Sequence, residues 1–213
     1  MALKLYLHPL SSYCHKALLA FYENDIPFEP IVIDGSTYSQ FKDVWPLGKF
    51  PVLLDETRNE VVPESTIIIE YLTLHYPGKV RLIPSDPDQA RMVRMHDRFI
   101  DLYLHAPVQK FPGDRLRPAD QRDSYGVDEA RRAFHSALEI FEANLADKTF
   151  VMGEEFTLAD CAAAPALYYG NIFYGPLEHS HARAAAYLEL LMARPAYARV
   201  LREAEPFLHL LPR

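Results

Sequence analysis

Leu3, Leu5 and Leu7 alternate with Lys4 and Tyr6, and this period of two predicts a short strand over 2–8. Pro9 breaks the pattern. From 12 to 23, Cys14, Ala17, Leu18 and Phe21 recur at helical spacing, with Ser11 or Ser12 placed to cap the helix. The stretch 26–33, IPFEPIVI, is rich in β-branched and aromatic residues and reads as a second strand, completing a βαβ unit with a parallel pair. After a variable segment, 50–54 and 60–62 flank the turn-rich DETRN, which predicts an antiparallel hairpin. Ile67, Ile68, Tyr71 and Leu72 then form the apolar stripe of a helix over 64–75.

Beyond residue 77 the pattern changes. Pro77, Pro84 and Pro87 punctuate a linker. The segments 89–104, 127–145, 158–169 and 182–192 all repeat at the helical period, with almost no strand-forming run between them, and the proline-containing stretch 107–121 reads as an irregular loop. The expected architecture is therefore an α/β unit over 1–78, a linker over 79–87 and an all-helical unit over 88–213.

A length of 213 residues with 49% hydrophobic and 24% charged positions suits two small globular domains. A net charge of −7 argues against a nucleic-acid surface, which needs clustered Lys and Arg. Cys14 and Cys161 are too few for a disulfide framework, and the opening MALKLYLHP lacks the pattern of a signal peptide. These features suggest a reducing, cytoplasmic setting. No apolar run nears the roughly 18 to 20 residues of a membrane span, and no metal-ligand spacing is visible.

Four segments carry candidate chemistry. In LSSYCHKALLAFYENDIPFE (10–29), Ser11 and Ser12 stand where a helix cap belongs. Cys14 lies on the apolar stripe, as a small buried hydrophobe does, and reactivity would require exposure at the helix start, where a thiolate is stabilised. Cys161 reads as buried. In PLGKFPVLLD (46–55), Pro51 precedes a strand, as an ordinary trans proline or as a cis turn that exposes the next residue's backbone. In VPESTIIIEYL (62–72), Glu64 and Ser65 open a helix whose free N–H groups serve as a cap or an anion site. In FTLADCAAAPALYY (156–169), Thr157 and Asp160 have capping-box spacing and Phe156 can pack on Cys161, which is a folding device.

Taken in this order, the four segments and the βαβ, ββα, all-α succession resemble the cytosolic glutathione transferases over essentially the whole chain. The serines are similar in position to those of theta-like and zeta-like members, although the zeta pattern runs Ser-Ser-Cys and here Tyr13 precedes Cys14. The resemblance implies a thioredoxin-like domain holding glutathione as co-substrate, followed by an all-helical domain receiving a small hydrophobic electrophile. It implies that Ser11, or Ser12 if the turn is shifted, donates to the glutathione sulfur, with Cys14 the candidate for a mixed disulfide. Lys49 and the loop before it would approach the glycyl carboxylate, Phe50 would belong to the same glutathione site, Val52 after cis-Pro51 would pair with the cysteinyl backbone, and Glu64 and Ser65 would hold the γ-glutamyl end. Tyr103, His105, Phe111, Tyr169 and Phe173 are the candidates for the second-substrate wall, although aromatic residues at this spacing also build cores. Asp101 is either an exposed surface carboxylate or a residue that meets the γ-glutamyl ammonium of a neighbouring subunit, since the family is usually dimeric. The implied activity is glutathione transfer. Another glutathione-dependent enzyme (isomerase, dehalogenase or thiol-disulfide reductase) and a non-catalytic glutathione-binding protein are the alternatives.

Overall fold

A computed structural model describes residues 2–212. Strand β1 (Leu3–Leu7) buries its three leucines on one face, as its alternation requires. Helix α1 (Ser12–Glu23) follows, and β2 (Glu29–Val32) returns parallel to β1. Strands β3 (Val52–Asp55) and β4 (Glu60–Pro63) form the hairpin, β3 pairing antiparallel with β1, so that the sheet runs β2-β1-β3-β4. One face of the sheet carries α1 and α3 (Ser65–His75). The other is covered by α2 (Tyr38–Val44), whose Phe41 packs with Ile33 and Val52.

Asp55 fastens α3 to the sheet. Its buried carboxylate accepts hydrogen bonds from the hydroxyls of Tyr71 (2.8 Å) and Tyr76 (2.5 Å) and from the N–H groups of Thr57 and Arg58. Burial pushes this carboxyl upward, but those four donors outweigh it and hold it below the usual value.

The helical half comprises α4 (Pro87–Phe99), a π-helical turn (Ile100–His105), α5 (Ala106–Arg115), α6 (Ser124–Leu145), α7 (Leu158–Phe173), α8 (Ala182–Ala193) and α9 (Pro195–Ala204). A 3₁₀ segment, Glu205–Leu210, follows α9. Asp86 caps α4 by accepting from the Gln89 N–H at 2.8 Å, with Pro87 in the first turn, where its missing N–H costs nothing. Asp123 caps α6 in the same way through Gly126. Helices α6 and α7 approach so closely that a Cβ on Gly170 would stand 2.6 Å from the Phe134 ring.

The reading of 107–121 as an irregular loop is corrected. Pro107 falls in the first turn of α5, and the widened turn before it lets the Ala106 N–H reach back to the Asp101 carbonyl. The chain therefore stays helical from α4 into α5, and Pro112 is taken up near the end of α5. Two further helices have no counterpart in the sequence reading. Helix α2 buries only Phe41, and α9 begins at a proline that resembles a stop signal.

One continuous hydrophobic core runs from Leu3 in β1 to Val200 in α9, with α1 packed against α3, α7 and α9. The two halves thus share an interior, and α1 lies at its centre. Among the described residues no helix is long and apolar enough to cross a membrane, and no group of three or more His, Cys, Asp or Glu is placed to hold a metal ion.

Candidate functional site

A cleft of about 640 Å³ opens between the first turn of α1, the 45–51 loop, the start of α3 and one side of α4 with its π turn. Gly48 directs the loop. Its φ is +64°, and a Cβ there would meet the Tyr38 hydroxyl at 2.4 Å. The Phe50–Pro51 peptide that follows is cis, and Lys49, Phe50 and Pro51 all line the cleft. Val52 is wholly buried under α2, paired with Tyr6 of β1 on one side and Pro63 of β4 on the other, and is not part of the cleft lining, which corrects its expected place as a ligand contact.

At the opposite wall, Glu64 adopts φ 70° and ψ 122°, a conformation that costs a non-glycine residue on the order of 1–3 kcal/mol and that clusters at ligand sites. Ser65 begins α3 directly after it, so unpaired N–H groups and the positive end of the helix face the cleft wall that both residues form.

Neither Ser11 nor Ser12 is part of the cleft lining, and the two are used differently. Ser11 caps α1, its Oγ accepting from the Cys14 N–H at 3.3 Å. This occupies one lone pair and leaves the hydroxyl proton free. Ser12 is buried and accepts from Gln109 Nε2 at 2.9 Å, which ties it to α5. Cys14 is fully buried, and burial pushes its thiol up to about 12, the reverse of what a thiolate nucleophile needs. The candidacy of Cys14 is corrected on that ground.

A charge cluster reaches the cleft lining through Thr66, Asp97 and Asp101. Lys16 is completely buried, its Nζ 2.6 Å from Asp97 Oδ1 and 2.6 Å from Asp101 Oδ2, and it donates to Thr66 Oγ1 at 2.8 Å. Thr66 in turn donates to Asp97 Oδ2 at 2.9 Å. Burial raises the Asp97 carboxyl against the pull of Lys16. Burial also presses upward on Asp101, but His105, 3.7 Å away, and Lys16 hold it below its usual value. Asp101 is therefore an internally paired carboxylate at the cleft wall, which corrects its reading as an exposed surface group.

The proposed second-substrate wall is corrected as well. Phe111, Tyr169 and Phe173 belong to the core, since their helical spacing points them inward, and His105 is completely buried. Tyr169 donates from its hydroxyl to the Leu10 carbonyl at 2.8 Å and so steadies the turn before Ser11. Tyr103 is 57% exposed and is not part of the cleft lining. The apolar part of the cleft lining includes Trp45, Ile67, Leu102 and Ala106, with Tyr13 at the α1 end. The sequence held a signal for the buried cluster, because a lysine stands within the apolar run of α1.

The family model described as Glutathione S-transferase, N-terminal domain, matches residues 5–80, and Glutathione S-transferase, C-terminal domain, matches residues 99–195. A glutathione S-transferase of Pseudomonas putida is 28% identical over 213 residues, covering 95% of this chain and 93% of the relative. A crystal structure of a glutathione S-transferase from Methylobacterium radiotolerans, in complex with glutathione sulfonate, superposes with a TM-score of 0.80 at 28% identity, covering 93% of each chain. Another, from Methylobacillus flagellatus with glutathione bound, gives 0.84 at 24% identity and covers 93% of this chain and 98% of that one. With both halves of the fold matched and the turn, cis-proline and helix-start elements assembled in one region, the chain belongs to the cytosolic glutathione transferase superfamily.

Proposed function

We propose that this protein binds glutathione along the cleft and activates its thiol for attack on a small hydrophobic electrophile. The observation that carries the reading is the facing pair of backbone sites, the cis Phe50–Pro51 turn and the α3 start behind the strained Glu64. The first suits an extended peptide whose backbone hydrogen-bonds to the turn at Phe50. The second suits the γ-glutamyl carboxylate at Ser65, with Glu64 toward the ammonium group. Lys49 and the adjoining Phe50 then lie toward the glycyl carboxylate. The glutathione sulfonate in the Methylobacterium radiotolerans structure supports glutathione as the ligand.

In this arrangement the sulfur meets the first turn of α1, where the free Ser11 proton donates to the thiolate. Such a bond is worth about 1.5–3 kcal/mol, or roughly one to two units of thiol pKa. Ser11→Ala is expected to raise the pKa of bound glutathione by that amount and to lower kcat/KM about 10- to 100-fold at neutral pH. Ser12→Ala and Cys14→Ala are expected to leave the thiol pKa unchanged. Spectrophotometric titration of the bound thiol measures all three, and an unaltered pKa in Ser11→Ala would remove Ser11 from the mechanism. The burial of Cys14 disfavours the thiol-disulfide reductase alternative.

The proposal includes a homodimer in the cytoplasm. Ile67 and Leu74 on α3, with Met95, Leu102 and Tyr103 on the α4 side, are exposed apolar residues on neighbouring helices, a face suited to a second copy. Sedimentation at micromolar concentration should give twice the 24.4 kDa chain mass, and Met95→Glu should shift it toward the single chain. A wild type that sediments as one chain refutes the dimer.

A further inference from the structure

His15 stands in the first turn of α1, completely buried, and reaches back over the chain that leads into its own helix. Its Nε2 lies 2.6 Å from the Pro9 carbonyl oxygen, and its backbone N–H donates to the Ser11 carbonyl at 2.9 Å. A carbonyl oxygen only accepts, so Nε2 carries the ring proton and Nδ1 keeps a bare lone pair. Between these two contacts, the Leu10 carbonyl accepts from the Tyr169 hydroxyl at 2.8 Å. The successive carbonyls of Pro9, Leu10 and Ser11 are thus each held by a donor, two from His15 and one from α7. The N–H groups of the turn are held as well, Leu10 donating to His8 Nδ1 at 3.2 Å and Ser11 to the His8 carbonyl at 2.9 Å. An apolar residue would fill the place of the His15 ring with less strain on the fold. Among the described residues Nδ1 has no hydrogen-bond partner, and a buried acceptor left without one is destabilising. The ring packs instead beside Tyr169 and Tyr197, at centroid distances of 5.6 and 6.1 Å. Burial pushes the imidazole down to about 4 against the support of the Pro9 carbonyl, so at neutral pH it is uncharged and its one N–H is all the polar function it offers.

We propose that His15 and Tyr169 are positioning residues for Ser11: by fixing the peptide units from Pro9 to Ser11 they aim its hydroxyl at the sulfur of bound glutathione. This rests on the reading of Ser11 given above and names the buried groups through which α1 and α7 serve it. Ser11 holds φ −77° and ψ 116°, outside the helical range, so the regular geometry of α1 does not extend to it. Its Oγ also accepts from the Cys14 N–H, and the direction left to the hydroxyl proton follows from where the backbone of the turn is placed. A hydrogen bond weakens steeply as it is bent or lengthened. A turn that loses one of its fixed donors therefore keeps the serine but spoils its aim, and the bond to the thiolate is weakened without being removed.

The test uses Tyr169→Phe, which deletes one hydroxyl, His15→Leu, which deletes the ring N–H, and His15→Gln, whose amide N–H can reach the place of Nε2. Each is titrated for the pKa of bound glutathione and assayed with benzyl chloride as the electrophile. Tyr169→Phe and His15→Leu are each expected to raise the thiol pKa by about 0.5–1 unit and to lower kcat about 3- to 10-fold. KM for glutathione should stay within about twofold, because the ends of the peptide are held at the 45–51 loop and the α3 start. His15→Gln should recover most of the loss. In a Ser11→Ala background the same changes should move the thiol pKa no further, a non-additivity that a merely structural role would not produce. Lowered urea stability with the thiol pKa unmoved would overturn the proposal, and so would a shift that persists in full without Ser11. A His15→Gln variant no better than His15→Leu would overturn the role given to the N–H. Should His15→Leu fail to fold, Tyr169→Phe decides the matter through the same readouts. A thiol pKa untouched by Ser11→Ala would remove the underlying reading and the proposal with it, whereas a raised value there with silent Tyr169→Phe and His15→Leu removes only the positioning role.

Discussion

Replacing Lys16 with methionine is expected to lower folding stability by about 3–5 kcal/mol. Methionine nearly matches the lysine stem in volume, so the loss is not one of packing. It comes from Asp97 and Asp101, which Lys16 holds at 2.6 Å each from a position with no solvent exposure. Without the ammonium group, the two carboxylates face each other in an interior that also contains the fully buried His105. Breaking a buried ion pair from one side strands the other charge, whereas removing the whole set together is often nearly neutral. The triple change Lys16→Met, Asp97→Asn and Asp101→Asn should therefore recover most of the loss. Urea unfolding of the single and triple variants makes the comparison, and a single-variant loss below about 1 kcal/mol would show that the cluster is not a stabilising device.

Asp160→Ala is expected to cost a similar amount, about 3–5 kcal/mol, by a different route. The Asp160 carboxylate is completely buried and accepts from the Thr157 N–H (2.6 Å), the Val151 N–H (2.8 Å), the Thr157 hydroxyl (3.0 Å) and the Tyr187 hydroxyl (2.5 Å). It thus completes the capping box of α7 and binds the preceding loop and α8 to the same point. Alanine leaves several buried donors without an acceptor, each costing about 1–3 kcal/mol less whatever water can restore. Asp160→Asn retains one acceptor oxygen and should fall between alanine and wild type in urea midpoint. A variant ordering in which asparagine is no better than alanine would contradict the hydrogen-bond account.

The capping box could be read from the sequence because all its parts lie within four residues, and α1 could be read because its periodicity is unbroken. The cis peptide before Val52 was legible only through the resemblance of its turn to a known fold. Local pattern did not reveal the partners of Lys16, which lie 81 and 85 positions away on another element. Nor did it distinguish Tyr169, turned inward to hold Leu10, from Tyr13, turned toward the cleft. Both are aromatic residues on helices, and only the packing of α1 against α7 and the π turn decides which way each points. Helix α5 was missed for a related reason, since a proline reads as a breaker until the widened turn ahead of it is seen.

That widened turn has an evolutionary consequence. An α-helix advances about 100° per residue, so one residue gained or lost would ordinarily rotate everything downstream off its packing face. A π turn takes up one surplus residue within its own span, leaving the flanking helices in register. The segment that carries Asp101 and His105 is thus a place where a lineage can lengthen or shorten the chain, or exchange the groups it presents to the cleft, while Val93 and Val108 on either side keep their places in the core.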